Sequence, residues 1–180
     1  MDLKKLENTP PWEWPQDTDK MLLEVLRDDQ SDESERLLAA ELAGDYTVIN
    51  DKLADTLLAI VLRDEESDVL RARAVISLGP ALATAFIDGF EDPEDVLISE
   101  KTFHGIQEAL RKLYMDVDLP IEVRRRILES SVRAPQDWHQ DAIREAYSSD
   151  DESWRLTAVF AMRYIRGFNT QILEALENDN

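Results

Sequence analysis

One unit recurs along this chain: a turn rich in acids and serine, then an arginine, then small and aliphatic residues at helical spacing. Its clearest copy is LRDEESDVLRARAVISLG, from Leu62 to Gly79. A second copy, LRDDQSDESERLLAAELAG, ends at Gly44, and a third, YSSDDESWRLTAVFAMRYIRG, ends at Gly167. DVDLPIEVRRRILESSVRAP is a more divergent copy. A unit this short cannot bury an apolar face alone, so its recurrence calls for neighbours that stack and share a core. The pattern predicts an all-α fold of about four helical hairpins plus a terminal helix, without sheet.

In their second helices the copies resemble HEAT repeats, especially the short bacterial kind with VR..A...LG. The matching stretches run from Arg71 to Leu78 and Gly79, from Arg124 to Ser131 and from Arg155 to Met162. In the first copy Glu35 and Leu42 keep the same separation and Arg36 is displaced by one position. The segments TPPWEWP, LAAELAGD, SVRAPQDWHQDA and MRYIRGF resemble a family of uncharacterised bacterial HEAT-repeat proteins. The resemblance covers residues 17 to 178 and implies a right-handed α–α superhelix, a HEAT-like solenoid of the ARM type. It also implies that the second helices line a concave side, and it implies no activity.

With 43% hydrophobic residues in 180, the chain has enough apolar surface for one core. The division expected is an irregular Trp/Pro-rich arm over residues 1–16, which serves as an N-terminal cap, and one repeat domain over 17–180 with an acidic insertion at 88–100. No run of 18 apolar residues and no basic-apolar leader is visible, so neither a membrane span nor a secretory signal is expected. The absence of cysteine excludes disulfides and fits a cytoplasmic location.

Charge is the strongest global feature, with 20 basic against 39 acidic residues and a formal net charge of -19. Residues 1–100 hold 9 bases and 25 acids, while residues 101–180 hold 11 and 14. The field should therefore change along the repeat axis. Such a chain repels nucleic acid and anionic membranes at long range and favours a protein partner with basic patches.

In the arm, Pro10, Pro11 and Pro15 oppose a continuing helix, and Trp12 and Trp14 can face one side of an extended segment. The two indoles either seal the first hairpin or anchor a partner. The hairpins are expected from Asp17 to Asp28 with Asp32 to Gly44, from Asp51 to Leu62 with Ser67 to Leu78, and from Glu100 to Met115 with Pro120 to Val132. The fourth begins near Asp137 and closes at Gly167, and NTQILEALENDN reads as one more helix, either a lone cap or the start of a fifth pair. Gly79 and Pro80 should end or kink their helix, although ALATAFI can resume helical structure beyond them. The repeat arginines Arg36, Arg71, Arg124 and Arg155 are read as structural, and Arg71 is expected to pair with the acids just before it and hold the turn.

Site chemistry is sparse. Asp88, Glu91, Asp92 and Asp95 in the insertion supply oxygen ligands for a cation but lack the spacing of a calcium loop, so no metal and no cofactor is expected. His139 lies between Asp137 and Asp141 and reads as a surface histidine among helix-start carboxylates. No phosphate loop, nucleophile elbow or zinc motif is present in the sequence. The leading expectation is a non-catalytic protein-interaction or scaffold module. A nucleic-acid-binding HEAT-like module and a structural segment of a longer assembly are the alternatives. Candidate contact residues are Trp12 and Trp14 on the arm and Glu33, Arg73, Arg126 and Arg163 on the second helices.

Overall fold

The computed structural model describes residues 3–92 and 96–178. Among them are ten α-helices and one 3-10 turn, and no strand. The helices are α1 (Leu3–Glu7), α2 (Thr18–Arg27), α3 (Glu33–Ala43), α4 (Asp51–Leu62), α5 (Asp68–Asp88), α6 (Glu100–Tyr114), α7 (Ile121–Ser131), α8 (Trp138–Tyr147), α9 (Glu152–Ala161) and α10 (Asn169–Asn178). Short turns separate the members of each hairpin, capped by a side chain before α3, α5 and α9 but not before α7, whose N-cap is Pro120. Asp32, Asn50, Ser67, Ser99 and Asp151 each accept a backbone N–H in the first turn of the helix that follows. This satisfies donors that a helix start leaves free.

Packing runs in two series. Helices α3, α5, α7 and α9 touch in succession, as do α2, α4 and α6, and each hairpin's two helices pack on one another. Apolar residues at i, i+3 and i+4 give each outer helix one buried stripe. In α6 that stripe is Phe103, Ile106, Leu110 and Tyr114, and in α4 it is Leu53, Leu57, Ile60 and Val61. Helix α5 touches α3, α4, α6 and α7, and its buried residues lie on nearly every side. It is long and apolar enough to cross a membrane by length and composition, yet most of that stretch is buried against its neighbours.

The repeated unit acquires a physical meaning in the turns. Arg36, Arg71 and Arg124 each donate to the backbone carbonyl ten residues earlier: to Leu26 at 3.2 Å, Val61 at 3.0 Å and Tyr114 at 2.8 Å. Those carbonyls lie in the last turn of the preceding helix, where no helical donor is available. Arg155 departs from this pattern and donates within its own turn, to the carbonyls of Ser149 at 2.9 Å and Asp150 at 2.8 Å. Arg36 also forms a two-pronged pair with Glu66 in the next hairpin's turn, at 2.6 and 2.7 Å, with both side chains 9% exposed. The Arg36 hydrogen bonds hold the Glu66 carboxyl below its ordinary range.

Close approach between successive second helices recurs in the same register. A Cβ on Gly44 would lie 2.7 Å from the Ser77 carbonyl oxygen, and one on Gly79 would lie 3.0 Å from Ser130 Oγ. Each glycine follows its signature arginine by eight residues and each serine follows its own by six. Ser130 completes the crossing by donating to the Val75 carbonyl at 2.7 Å.

Helix α5 does not end at Gly79 and Pro80 but runs on to Asp88. Proline removes one ladder bond, to the Ile76 carbonyl. Burial of Ala81, Leu82 and Ala85 outweighs that loss. The arm also departs from the irregular form expected of it, since Leu3–Glu7 is helical and buries Leu3 and Leu6. The insertion is pinned rather than wholly solvated: Phe90 packs on Phe103, Ile98 is buried, and the Ser99 N–H donates to Asp51 at 2.6 Å.

Removing the acid of the buried inter-hairpin pair should leave the Arg36 guanidinium without its main counterion. Glu66→Gln is expected to lower unfolding free energy by about 3 kcal/mol, measured by urea denaturation. A change of a few tenths would mean that water or Asp29 takes over the charge.

Candidate functional site

The arm and the second-helix face, separate candidates in the sequence, meet in one groove. It has a volume of about 480 Å³ and is lined by Glu7, Pro11 and Trp14 from the arm, Glu41 and Tyr46 at the end of α3, and Arg73, Ile76 and Pro80 from α5. Helix α1 lies on α3. The chain then turns through Pro11–Glu13, and the Trp14 indole N–H is shared between the carbonyls of Thr9 at 2.9 Å and Leu6 at 3.1 Å. That bifurcated donation fixes the arm's return and makes Trp14 a wall of the groove. Arg73 reaches across from α5 to Glu41 at 2.6 Å, both side chains remaining partly exposed. The groove therefore offers an aromatic wall, an apolar floor and a solvent-facing ion pair.

The two tryptophans differ in burial. Trp14 is packed and Trp12 is 78% exposed, and both line a neighbouring cleft with Thr47 and Val48. The four helix-face candidates are distributed. Glu33 accepts from the Ser67 hydroxyl, Arg126 folds back onto Glu122 at 2.8 Å and Glu129 at 2.6 Å, and the Arg163 guanidinium lies 5.4 Å from the centre of the Phe160 ring. Only Arg73 of the four lines the groove. Tyr46, Ile76 and Pro80 were not expected there; a tyrosine in a turn and a proline after glycine carry no signal of joining one surface.

His139 is fully buried rather than at the surface. Its Nδ1 accepts the Gln136 N–H at 2.8 Å, and its Nε2 lies 2.9 Å from Ser131 Oγ. Ser131 gives its own hydrogen to the Ile127 carbonyl at 2.6 Å, so its oxygen accepts from Nε2–H. The imidazole is neutral with its proton on Nε2. A serine-histidine dyad needs that nitrogen's lone pair to take the serine proton. The pair therefore holds α8 against α7 and does not activate Ser131.

Among the described residues no group of three or more histidines, cysteines or carboxylates is arranged to hold a metal. Asp88, Glu91 and Asp92 are exposed around the end of α5, and Asp95 lies outside the described residues.

Burial pushes His139 down to about 4. An unfolded histidine takes up a proton near pH 6.5 that the folded site refuses, so stability is complete above about 6.5 and falls as pH drops toward about 4. Between about pH 7.5 and 5 the loss is about 2 kcal/mol. His139→Gln should remove this part of the slope in urea titrations, whatever its effect on stability at neutral pH; an unchanged slope contradicts the assignment. In the arm, Trp14→Ala should cost about 2 kcal/mol and Trp12→Ala less than about 0.5. Equal effects on melting would contradict the division of roles.

Comparison with family models, with curated proteins and with solved structures finds no match for this chain.

Proposed function

We propose that this chain is a HEAT-like, ARM-type right-handed α-solenoid that serves as a non-catalytic protein-interaction or scaffold module in the cytoplasm. Its recognition surface is the groove between the arm and helices α3 and α5. The solenoid reading is supported by the arginine-to-carbonyl bond in three hairpins and by the glycine-serine approach at two successive levels. Stacked hairpins supply an extended surface without requiring a reaction centre.

The observation that carries the choice of surface is the convergence of Trp14, Tyr46 and Arg73 on one cleft. Aromatic and arginine side chains dominate binding energy at protein interfaces. Glu7, Glu41 and Asp45 set an acidic rim against the one arginine, which favours a partner segment bearing a basic residue. A net charge of -19 opposes nucleic acid.

Proteins retained by the wild-type chain would be purified and their binding kinetics measured against Arg73→Glu and against a chain lacking residues 1–16, with circular dichroism as the folding control. Arg73→Glu should alter the association rate and its salt dependence, and loss of the arm should abolish binding. Parental rate constants in both variants would remove the groove from consideration. Retained nucleic acid with a steep salt response would replace the protein-binding reading altogether.

A further inference from the structure

The hairpin turns share one edge of the molecule. Arg63 of the second turn lies 3.5 Å from Asp29 of the first, Asp64 and Asp116 line one cleft, and Ile121 and Ser149 line another. The turns at residues 28–32, 63–67, 115–120 and 148–151 together hold ten acids and one base, Arg63, and the guanidiniums of Arg36, Arg71, Arg124 and Arg155 reach into them, so acids still outnumber bases there by two to one. Beside this charge the third hairpin presents apolar surface. Ile121 is 66% exposed, with Met115 and Val117 exposed in the turn that precedes it.

A cavity of about 340 Å³ lies here, walled by Tyr114, Ile121, Ala146 and Trp154 and also lined by Arg124, Glu145 and Ser149. Its walls are set in advance. Tyr114 stacks on Trp138 at 4.9 Å and meets Trp154 edge-on at 6.4 Å, while the Arg124 guanidinium covers its ring at 4.9 Å. The volume is at the small end of the range for ligand pockets and suits one large apolar side chain.

We propose that this edge docks a basic amphipathic segment of another protein, with one apolar side chain seated among Tyr114, Ile121 and Trp154 and basic groups facing the turn carboxylates. The surface lies apart from the arm groove, so the chain would join two partners, and the inference stands whether or not the groove is used. Charge selects the occupant. A second copy would bring acidic turns against acidic turns, and nucleic acid or an anionic bilayer carries the same sign. The basic run of α7 cannot serve a second copy, because its members are already engaged. Arg124 holds the Tyr114 carbonyl, Arg125 bonds Glu122 and Thr157, and Arg126 bonds Glu122 and Glu129.

The test uses a short leucine-lysine peptide patterned as an amphipathic helix, its leucine-glutamate counterpart and oligolysine, with methyl NMR of the full chain as the readout. The leucine-lysine peptide should shift the Val117 and Ile121 methyl signals and bind more tightly than oligolysine, and the leucine-glutamate peptide should not bind. The double variant Val117→Ser with Ile121→Ser changes exposed side chains and should keep the helical circular dichroism while weakening binding about tenfold or more. Arg73→Glu, in the arm groove, should leave this affinity unchanged. Equal binding of oligolysine, or undiminished affinity in the double serine variant, overturns the proposal. Loss of peptide binding in Arg73→Glu alone moves the peptide to the arm groove and also overturns it, while supporting the groove reading. A dimer that the double serine variant dissolves would make the edge a contact between copies and overturn it as well.

Discussion

A helix that ends inside a protein leaves carbonyls without donors, and in this fold a buried guanidinium meets that need from the next helix. Burying an arginine is costly unless its charge is balanced and its donors are used. The balance comes from turn acids. Arg71 lies 3.4 Å from Asp64 of its own turn and Arg36 engages Glu66 of the next hairpin's turn, so these acids are part of the device. Once the arginine crosses the turn, the angle between paired helices is constrained. Small residues six and eight positions later then meet the neighbouring hairpin. Turn, arginine and small-residue helix therefore make sense only together, which is why they recur as a block.

The helices were legible because their signals are local. Apolar spacing in α2, α4 and α6 and the caps at Asn50, Ser67 and Ser99 lie within a few residues of the boundaries they set. Helix beyond Pro80 was legible in ALATAFI, but its continuity with the helix before Gly79 was not, since it depends on Ala81, Leu82 and Ala85 meeting other helices rather than on neighbours in sequence. His139 misled for a related reason. Asp137 and Asp141 point to a surface, whereas Ser131 and the Gln136 amide, which hold the ring inside, give no pattern that marks a partner. Of the arm groove the sequence offered Trp14 and Arg73 separately. Their meeting depends on the fold-back of Leu3 and Leu6 against α3.

Charge shows the same limit. Counted along the chain, acidity declines from the first hundred residues to the last eighty. In three dimensions the second half segregates its charges instead, with Asp116, Asp118, Asp150 and Asp151 in the turns and the arginines of α7 paired on a helix face. A small net charge for a segment is thus compatible with an edge that stays acidic even with Arg124 and Arg155 reaching into its turns, because the field at a surface follows placement and not the sum.

The junction between the second and third hairpins is packed unevenly. On one side, α5 and α7 cross so closely that a methyl group on Gly79 would lie 3.0 Å from Ser130 Oγ and 3.1 Å from the Arg133 side chain. On the other, α4 and α6 meet more loosely, beside a cleft of about 740 Å³ lined by Leu62 at the end of α4, by Asp64 just beyond it and by Gly105, Ala109 and Leu113 on α6. Tight packing resists shear and compression, whereas an open cleft offers little resistance to closing.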